Sequence, residues 1–269
     1  MDNKSQQKKG SGKGNSVFYG LAVVIVLGGA AFLYWQSQGG GGGADQMAGA
    51  GSLEGEWEAF RVMAGEASAD PATGVVHGSE SAPILIEEFS DYSCPACARF
   101  SGFAGRLLRQ NYVDNADPRV RWVTYDYPIG PSFPNSLRAH VAARCAGDQG
   151  VYMMMHDMLL ARQTTWYLQA DPDGTINSIA EEVVPDFGAF RDCSAMRDEA
   201  TGYHPYLAEI AGSRAYGAQK GVNSTPTIFV NGERVNVTAG DPYAVVEAVI
   251  EANTATDADA GASPDEESS

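Results

Sequence analysis

Pro83-Ile84-Leu85-Ile86-Glu87-Glu88-Phe89-Ser90-Asp91-Tyr92-Ser93-Cys94-Pro95-Ala96-Cys97 is the stretch that decides the fold. Ile84 to Phe89 is apolar at both parities, the pattern of a strand covered by helices on both faces. Two thiols separated by Pro95 and Ala96 follow it at once. Proline is favoured at the first position of a helix, so Cys94 is placed at the helix N-terminus, against unpaired N–H groups and the positive end of the dipole. Such an environment stabilises a thiolate and lowers a cysteine pKa from about 8.5 by one to five units. Cys97, one turn further on, is then the more enclosed, resolving thiol.

A C-x-x-C pair is also half of a zinc site. Structural zinc needs four ligands, usually from a second such pair or from paired histidines. Cys145 and Cys193 are isolated here, and His77, His140, His156 and His204 are scattered. The strand-CxxC-helix context therefore points to redox chemistry with no metal and no cofactor beyond the Cys94-Cys97 pair.

The strand reading extends outward. Arg119 to Tyr127 alternates as a second strand, and a crossover around the CxxC helix makes the two parallel. Ser136 to about Tyr216 has helical periodicity broken by turn signals. Thr227–Val230 and Glu233–Val237 flank Asn231-Gly232, the strongest short hairpin signal. Asp241-Pro242 opens a closing helix through Ile250. Within the helical stretch, Met153-Met154-Met155-His156 suggests a soft copper site. However, Val151, Met154, Met155, Met158 and Leu159 share one helix face, which reads as core packing.

At the N-terminus, residues 1–16 are polar and carry Lys4, Lys8, Lys9 and Lys13, and residues 17–35 are uncharged. Nineteen residues at about 1.5 Å each cover roughly the hydrocarbon thickness, with Phe18, Tyr19, Tyr34 and Trp35 at the interfaces. The lysine asymmetry predicts a single-pass anchor in the cytoplasmic membrane, N-terminus inside and the remainder on the periplasmic side. A cleaved signal peptide is the alternative. Residues 36–72 read as a glycine-rich tether with a short helix around Trp57, residues 73–252 as the folded domain, and residues 253–269 as a disordered acidic tail. All four cysteines fall on the exported side, where disulfides persist. Eighteen Lys and Arg against 34 Asp and Glu give a net charge of −16, which excludes nucleic acid as a partner.

Residues 74–100 with CPAC, residues 139–160, and residues 221–232 (GVNSTPTIFVNG) together resemble the DsbA-like thiol-disulfide oxidoreductases, especially the membrane-anchored type. The resemblance implies an α/β thioredoxin fold with a helical insertion at about 136–216, preceded by the transmembrane helix. It implies that Pro226 is the cis-proline opposite the cysteine pair, with Thr225 presenting backbone to an extended substrate. Glu88 matches the position of a buried acid that exchanges a proton with Cys97; an exposed acid at a strand end is the plain alternative. The implied function is oxidation of reduced, newly exported proteins, with reoxidation by a quinone-linked membrane protein. A reductase or isomerase, or a metal- or haem-assembly chaperone on the same fold, is the alternative. Ala96 stands where the best-known members carry histidine, which argues for a less extreme oxidant. Cys145 and Cys193 are expected to form a structural disulfide worth roughly 4 kcal/mol in the chain-entropy picture, two buried free thiols being the other reading.

Overall fold

A computed structural model describes residues 53–115 and 118–261. The sheet grows from β2, Ile84–Ser90, whose residues are buried except for a half-buried Leu85. It pairs in parallel with β3, Val120–Asp126, from Ile84 opposite Val120 to Ser90 opposite Asp126. On its other side it pairs antiparallel with β4, Thr227–Val230. β1, Val75–His77, and β5, Glu233–Val235, close the edges in the order β1-β3-β2-β4-β5. The parallel pair is joined through α2, Pro95–Phe100, and α3, Arg106–Tyr112, with a π-helical turn between them.

Strand parity sorts the side chains into two layers. Ile84 and Ile86 pack with Trp122, Ile228 and Val230 against Phe100 and Leu108 and against Val246 and Ile250 of α9, Pro242–Gly261. Phe89, Val123, Tyr125 and Phe229 form the opposite layer with Tyr127 and Tyr216. That layer is covered by α8, Tyr206–Gln219, whose Gly217 meets Phe89 and Tyr127 so closely that a Cβ would lie 2.8 Å from their ring carbons. Between β3 and α8 run α4, Ser136–Gly147; α5, Tyr152–Ala161; α6, Asp173–Val183; and α7, Phe187–Ser194. These helices have a core of their own, including Leu137, Met155, Leu159, Trp166, Ile179 and Phe190. Cys145 of α4 and Cys193 of α7 are bonded across it, with Cα atoms 5.8 Å apart.

Three boundaries and one helix-face assignment differ from the sequence reading. The helix around Trp57, α1, Leu53–Glu66, belongs to the folded unit rather than to a tether: Trp57 and Phe60 are buried in the helical core. The Trp57 indole donates to the Pro134 carbonyl at 3.0 Å, a partner 77 residues away that no local pattern reveals. β5 stops at Val235 because the Asn236 carboxamide oxygen accepts from the N–H and hydroxyl of Thr238, turning the chain. α9 continues past Asn253 to Gly261, so the first part of the expected disordered tail is helical. An established helix propagates cheaply, and Asn253 and Thr254 bond back to the carbonyls of Val249 and Ile250. Finally, Met154 is 56% exposed, while α5 buries Tyr152, Met155, His156, Leu159 and Leu160. The hairpin turn matches its sequence signal, with positive φ at Asn231 (48°) and Gly232 (83°).

Among the described residues no helix is long and apolar enough to cross a membrane. The 17–35 span lies outside them, as do the basic tail and the glycine run. The burial of α1 leads to a stability prediction. Trp57→Ala should lower the free energy of unfolding by about 3–5 kcal/mol, read as a lower urea midpoint with little change in slope; an unshifted midpoint would return α1 to the tether.

Candidate active site

β2 ends at Ser90 and delivers Asp91, Tyr92 and Ser93 to the start of α2, where Cys94 is the N-cap residue and Pro95 occupies the first turn. Asp91 is fully buried and organises this loop. One carboxylate oxygen accepts from the Ser93 N–H at 2.8 Å and the Ser136 hydroxyl at 2.7 Å; the other accepts from the Ile129 N–H at 2.8 Å. The Asp91 carbonyl takes the Cys94 N–H at 3.0 Å, and the Asp91 N–H points at Cys97 Sγ at 3.5 Å. The same residue thus holds both ends of the motif. No sequence signal marked it beyond its place two residues before a serine at a helix start.

The two sulfurs sit in unlike surroundings. Cys94 is 7% exposed and Cys97 fully enclosed. The hydrogen bond from the Cys97 thiol does most to lower the Cys94 pKa; burial opposes it, while Thr225 and the N–H groups of Cys97 and Ala96 add to it, bringing it to about 6. Cys94 Sγ lies 3.4 Å from the Thr225 carbonyl, an oxygen that accepts from the protonated thiol. The Thr225 hydroxyl, buried and without another partner among the described residues, is the group on that residue able to donate to the thiolate. Cys97 is driven the other way, by burial first and then by the hydrogen bond and charge of Cys94. Protons therefore concentrate on Cys97 and negative charge on Cys94.

The peptide bond between Thr225 and Pro226 is cis, and Pro226 is buried at the entry to β4. Cys94, Cys97, Thr225 and Pro226, far apart in the chain, are thereby brought to one end of the sheet. Glu88 lies on β2 in the layer facing α2. It is fully buried, so the exposed-acid alternative does not hold; Oε2 accepts from the Trp122 indole at 3.0 Å, and Oε1 has no partner among the described residues. Glu87, on the opposite face, is also buried and is neutralised by Lys220 and by the Tyr216 hydroxyl at 2.8 Å. Pro95 is exposed and Ala96 half-buried at the mouth of the pair.

A second polar group lies where the insertion meets the sheet. The Asp126 carboxylate takes His140 Nδ1 at 2.5 Å and Arg144 Nε at 2.6 Å. Burial raises its pKa, but Arg144 and His140 outweigh burial and hold it near 2. Tyr92 packs its ring against His140 and His156 and donates its hydroxyl to that of Tyr152 at 3.1 Å; burial keeps both phenols protonated. His156 Nδ1 is bonded to the neighbouring Asp157 carboxylate at 2.9 Å. Among the described residues, Cys145, Cys193 and His204 form a group with metal-ligand spacing, but its two sulfurs are consumed by the disulfide.

A family model described as thioredoxin matches residues 70–251. The chain belongs to the thioredoxin family. BdbD from Bacillus subtilis superposes with a TM-score of 0.57 at 18% identity, over 70% of this chain and 96% of that one. A thioredoxin-like oxidoreductase from Silicibacter pomeroyi superposes with a TM-score of 0.50 at 28% identity, over 69% and 94%. A putative protein-disulfide oxidoreductase of Rickettsia bellii is 24% identical over 180 residues, covering 66% of this chain and 64% of that protein. The Na(+)/H(+) antiporter NhaA 3 of Salinispora tropica is 33% identical over 165 residues, which are 61% of this chain but only 22% of the antiporter. The similarity to that protein is thus confined to a segment of a much longer chain.

The asymmetry of the two sulfurs is directly measurable. In the reduced protein, iodoacetamide should modify Cys94 with a pH midpoint near 6, the thiolate being lost below it, while Cys97 stays unreactive through neutral pH. Equal reactivity of the two thiols, followed by mass spectrometry, would contradict the geometry.

Proposed function

We propose that this thioredoxin-family protein is a DsbA-type thiol-disulfide oxidoreductase acting as an oxidase on reduced, exported proteins. The observation that carries the reading is the difference between the two thiols: Cys94 is held near pKa 6, and Cys97 is enclosed and pushed up. In the oxidising direction a substrate thiolate attacks Cys94 of the Cys94-Cys97 disulfide. The S–S bond breaks, Cys97 takes the electron pair and then a proton, and a mixed disulfide joins Cys94 to the substrate. A second substrate thiolate attacks the substrate sulfur of that bond and expels Cys94. The products are a substrate disulfide and the enzyme dithiol, two electrons richer. A low-pKa thiol leaves fast and is content as a thiolate, so the environment of Cys94 favours this direction.

Glu88 is assigned the proton exchange with Cys97. Its unpartnered oxygen, in the layer facing α2, supports that role. Thr225 and Pro226 are assigned to substrate binding: the strand entry beside Cys94 offers backbone to an extended chain, which gives affinity with little sequence preference. No cofactor is needed, since the Cys94-Cys97 pair carries the electrons. The Cys145–Cys193 bond is assigned a structural role, because it ties two helices of the insertion.

The dithiol must be reoxidised, and a quinone-linked membrane protein is the proposed partner. Residues 17–35 would keep the enzyme in the same cytoplasmic membrane, single-pass with the N-terminus inside and the domain on the periplasmic side. The uncharged span and the lysines before it support this placement.

Trapping in intact cells tests the roles. Cys97→Ser should accumulate mixed disulfides with exported proteins, because the resolving thiol is gone, and Cys94→Ser should accumulate none. Equal trapping through either cysteine would overturn the assignment, and no trapping together with tight metal binding would favour an assembly chaperone. Direction is read by glutathione titration. The potential should lie between about −270 mV, the value of thioredoxin, and about −120 mV, that of the strongest oxidants, since Ala96 offers no donor to the thiolate. A value at or below −270 mV would make the protein a reductase.

A further inference from the structure

Gln163 lies in the single 3-10 turn Gln163–Thr165 between α5 and α6, inside the helical insertion, about seventy residues from the redox motif. It is buried, and its side-chain Nε2 donates to two carbonyls of the motif loop: Tyr92 at 2.6 Å and Cys94 at 3.0 Å. We propose that Gln163 is a positioning residue of the redox centre, fixing the backbone on either side of Ser93 and thereby helping Cys94 to hold a thiolate. The inference rests on Cys94 being the reactive thiol.

Three observations carry it. First, a buried glutamine is a costly space-filler: it gives up its hydration and its rotamer freedom, and an apolar residue of the same volume would pack as well. Here both N–H bonds of its amide are spent on the loop that carries the nucleophile. Second, the donor is itself rigidly mounted. The Gln163 carbonyl takes the N–H groups of Trp166 and Tyr167, the Trp166 indole donates to Leu159 at 3.0 Å, and Asn135 Nδ2 spans the carbonyls of Trp166 and Gln169 at 2.8 Å each. Trp166 and Asn135 are fully buried.

Third, the electrostatics have a definite sign. A carbonyl oxygen is the negative end of a dipole, and two of them flank the Cys94 backbone. The Cys94 carbonyl also receives the Ala98 N–H at 3.1 Å, but Gln163 supplies the bond to that of Tyr92. Hydrogen bonds from Gln163 draw charge off both oxygens and hold them in place while Sγ faces the Thr225 hydroxyl and the N–H groups of Ala96 and Cys97. Without the donor, two buried acceptors lose a partner, and the loop is free to turn an oxygen toward the sulfur. The insertion would in this way bear on the chemistry of a motif it does not contain.

The test uses Gln163→Leu, which keeps the volume and removes the donor, and Gln163→Glu, which keeps the shape and sets acceptor oxygens against the two carbonyls. In Gln163→Leu the pH midpoint for Cys94 alkylation should rise by about half a unit, so that alkylation at pH 6 falls about twofold, and the glutathione equilibrium should move about two- to threefold toward the enzyme disulfide. Gln163→Glu should shift both readouts further in the same directions. A lowered melting temperature with midpoint and equilibrium unchanged would reduce Gln163 to a structural residue and overturn the proposal. In the wild-type protein, the side-chain amide protons of Gln163 should change chemical shift between dithiol and disulfide forms. Unmoved resonances would also overturn it, even if neither variant folds. Failure of the wild-type protein to exchange with glutathione at all would count against the oxidoreductase reading instead.

Discussion

The Asp91 carboxylate is the interaction on which the architecture around the motif depends. It is buried, with His140 Nε2 3.9 Å from Oδ1, and the three hydrogen-bond donors it meets among the described residues come from different pieces of chain: Ser93 in the redox loop, Ile129 after β3, and Ser136 at the start of α4. A buried anion missing one donor would cost several kcal/mol, so these segments are held in a common geometry. The distance between the redox loop and the helical insertion is thereby fixed, and Gln163 can reach the Tyr92 and Cys94 carbonyls.

Charge is handled differently on the two faces of β2. Glu87 is compensated by Lys220 and Tyr216 under α8, a closed arrangement that leaves nothing for chemistry. Glu88, one residue on, is offered a single indole N–H among the described residues and keeps an oxygen without a partner among them, in the layer facing α2. A side-chain period of two residues places neighbouring acids in these opposite settings. The sulfurs show the same economy. A hydrogen bond between them does most to lower Cys94 and adds to the burial that raises Cys97, so one contact separates the two thiols further.

The helical insertion has its own core and its own disulfide, yet it is bound to the sheet through polar contacts. Asp126 at the end of β3 carries both His140 and Arg144 of α4, and Arg144 continues to Glu209 of α8 at 2.7 Å and to the Thr73 carbonyl at 2.8 Å. Each buried charge here has several partners, the condition under which such a network specifies one docking geometry rather than penalising the fold.

Local chemistry made much of this legible in the chain. The apolar run Ile84–Phe89 specified a strand buried on both faces, Cys94-Pro95-Ala96-Cys97 specified a helix start bearing two thiols, and Asn231-Gly232 specified the hairpin, because each depends on residues within a few positions of one another. Only the tertiary structure could decide what depends on distant partners. Trp57 joins the core through Pro134, Asp91 acquires its meaning from Ile129 and Ser136, Gln163 from Tyr92 and Cys94, and Cys145 from Cys193. Period and turn chemistry are written into neighbouring residues. The partner of a buried donor or acceptor is set by where the folded chain brings it.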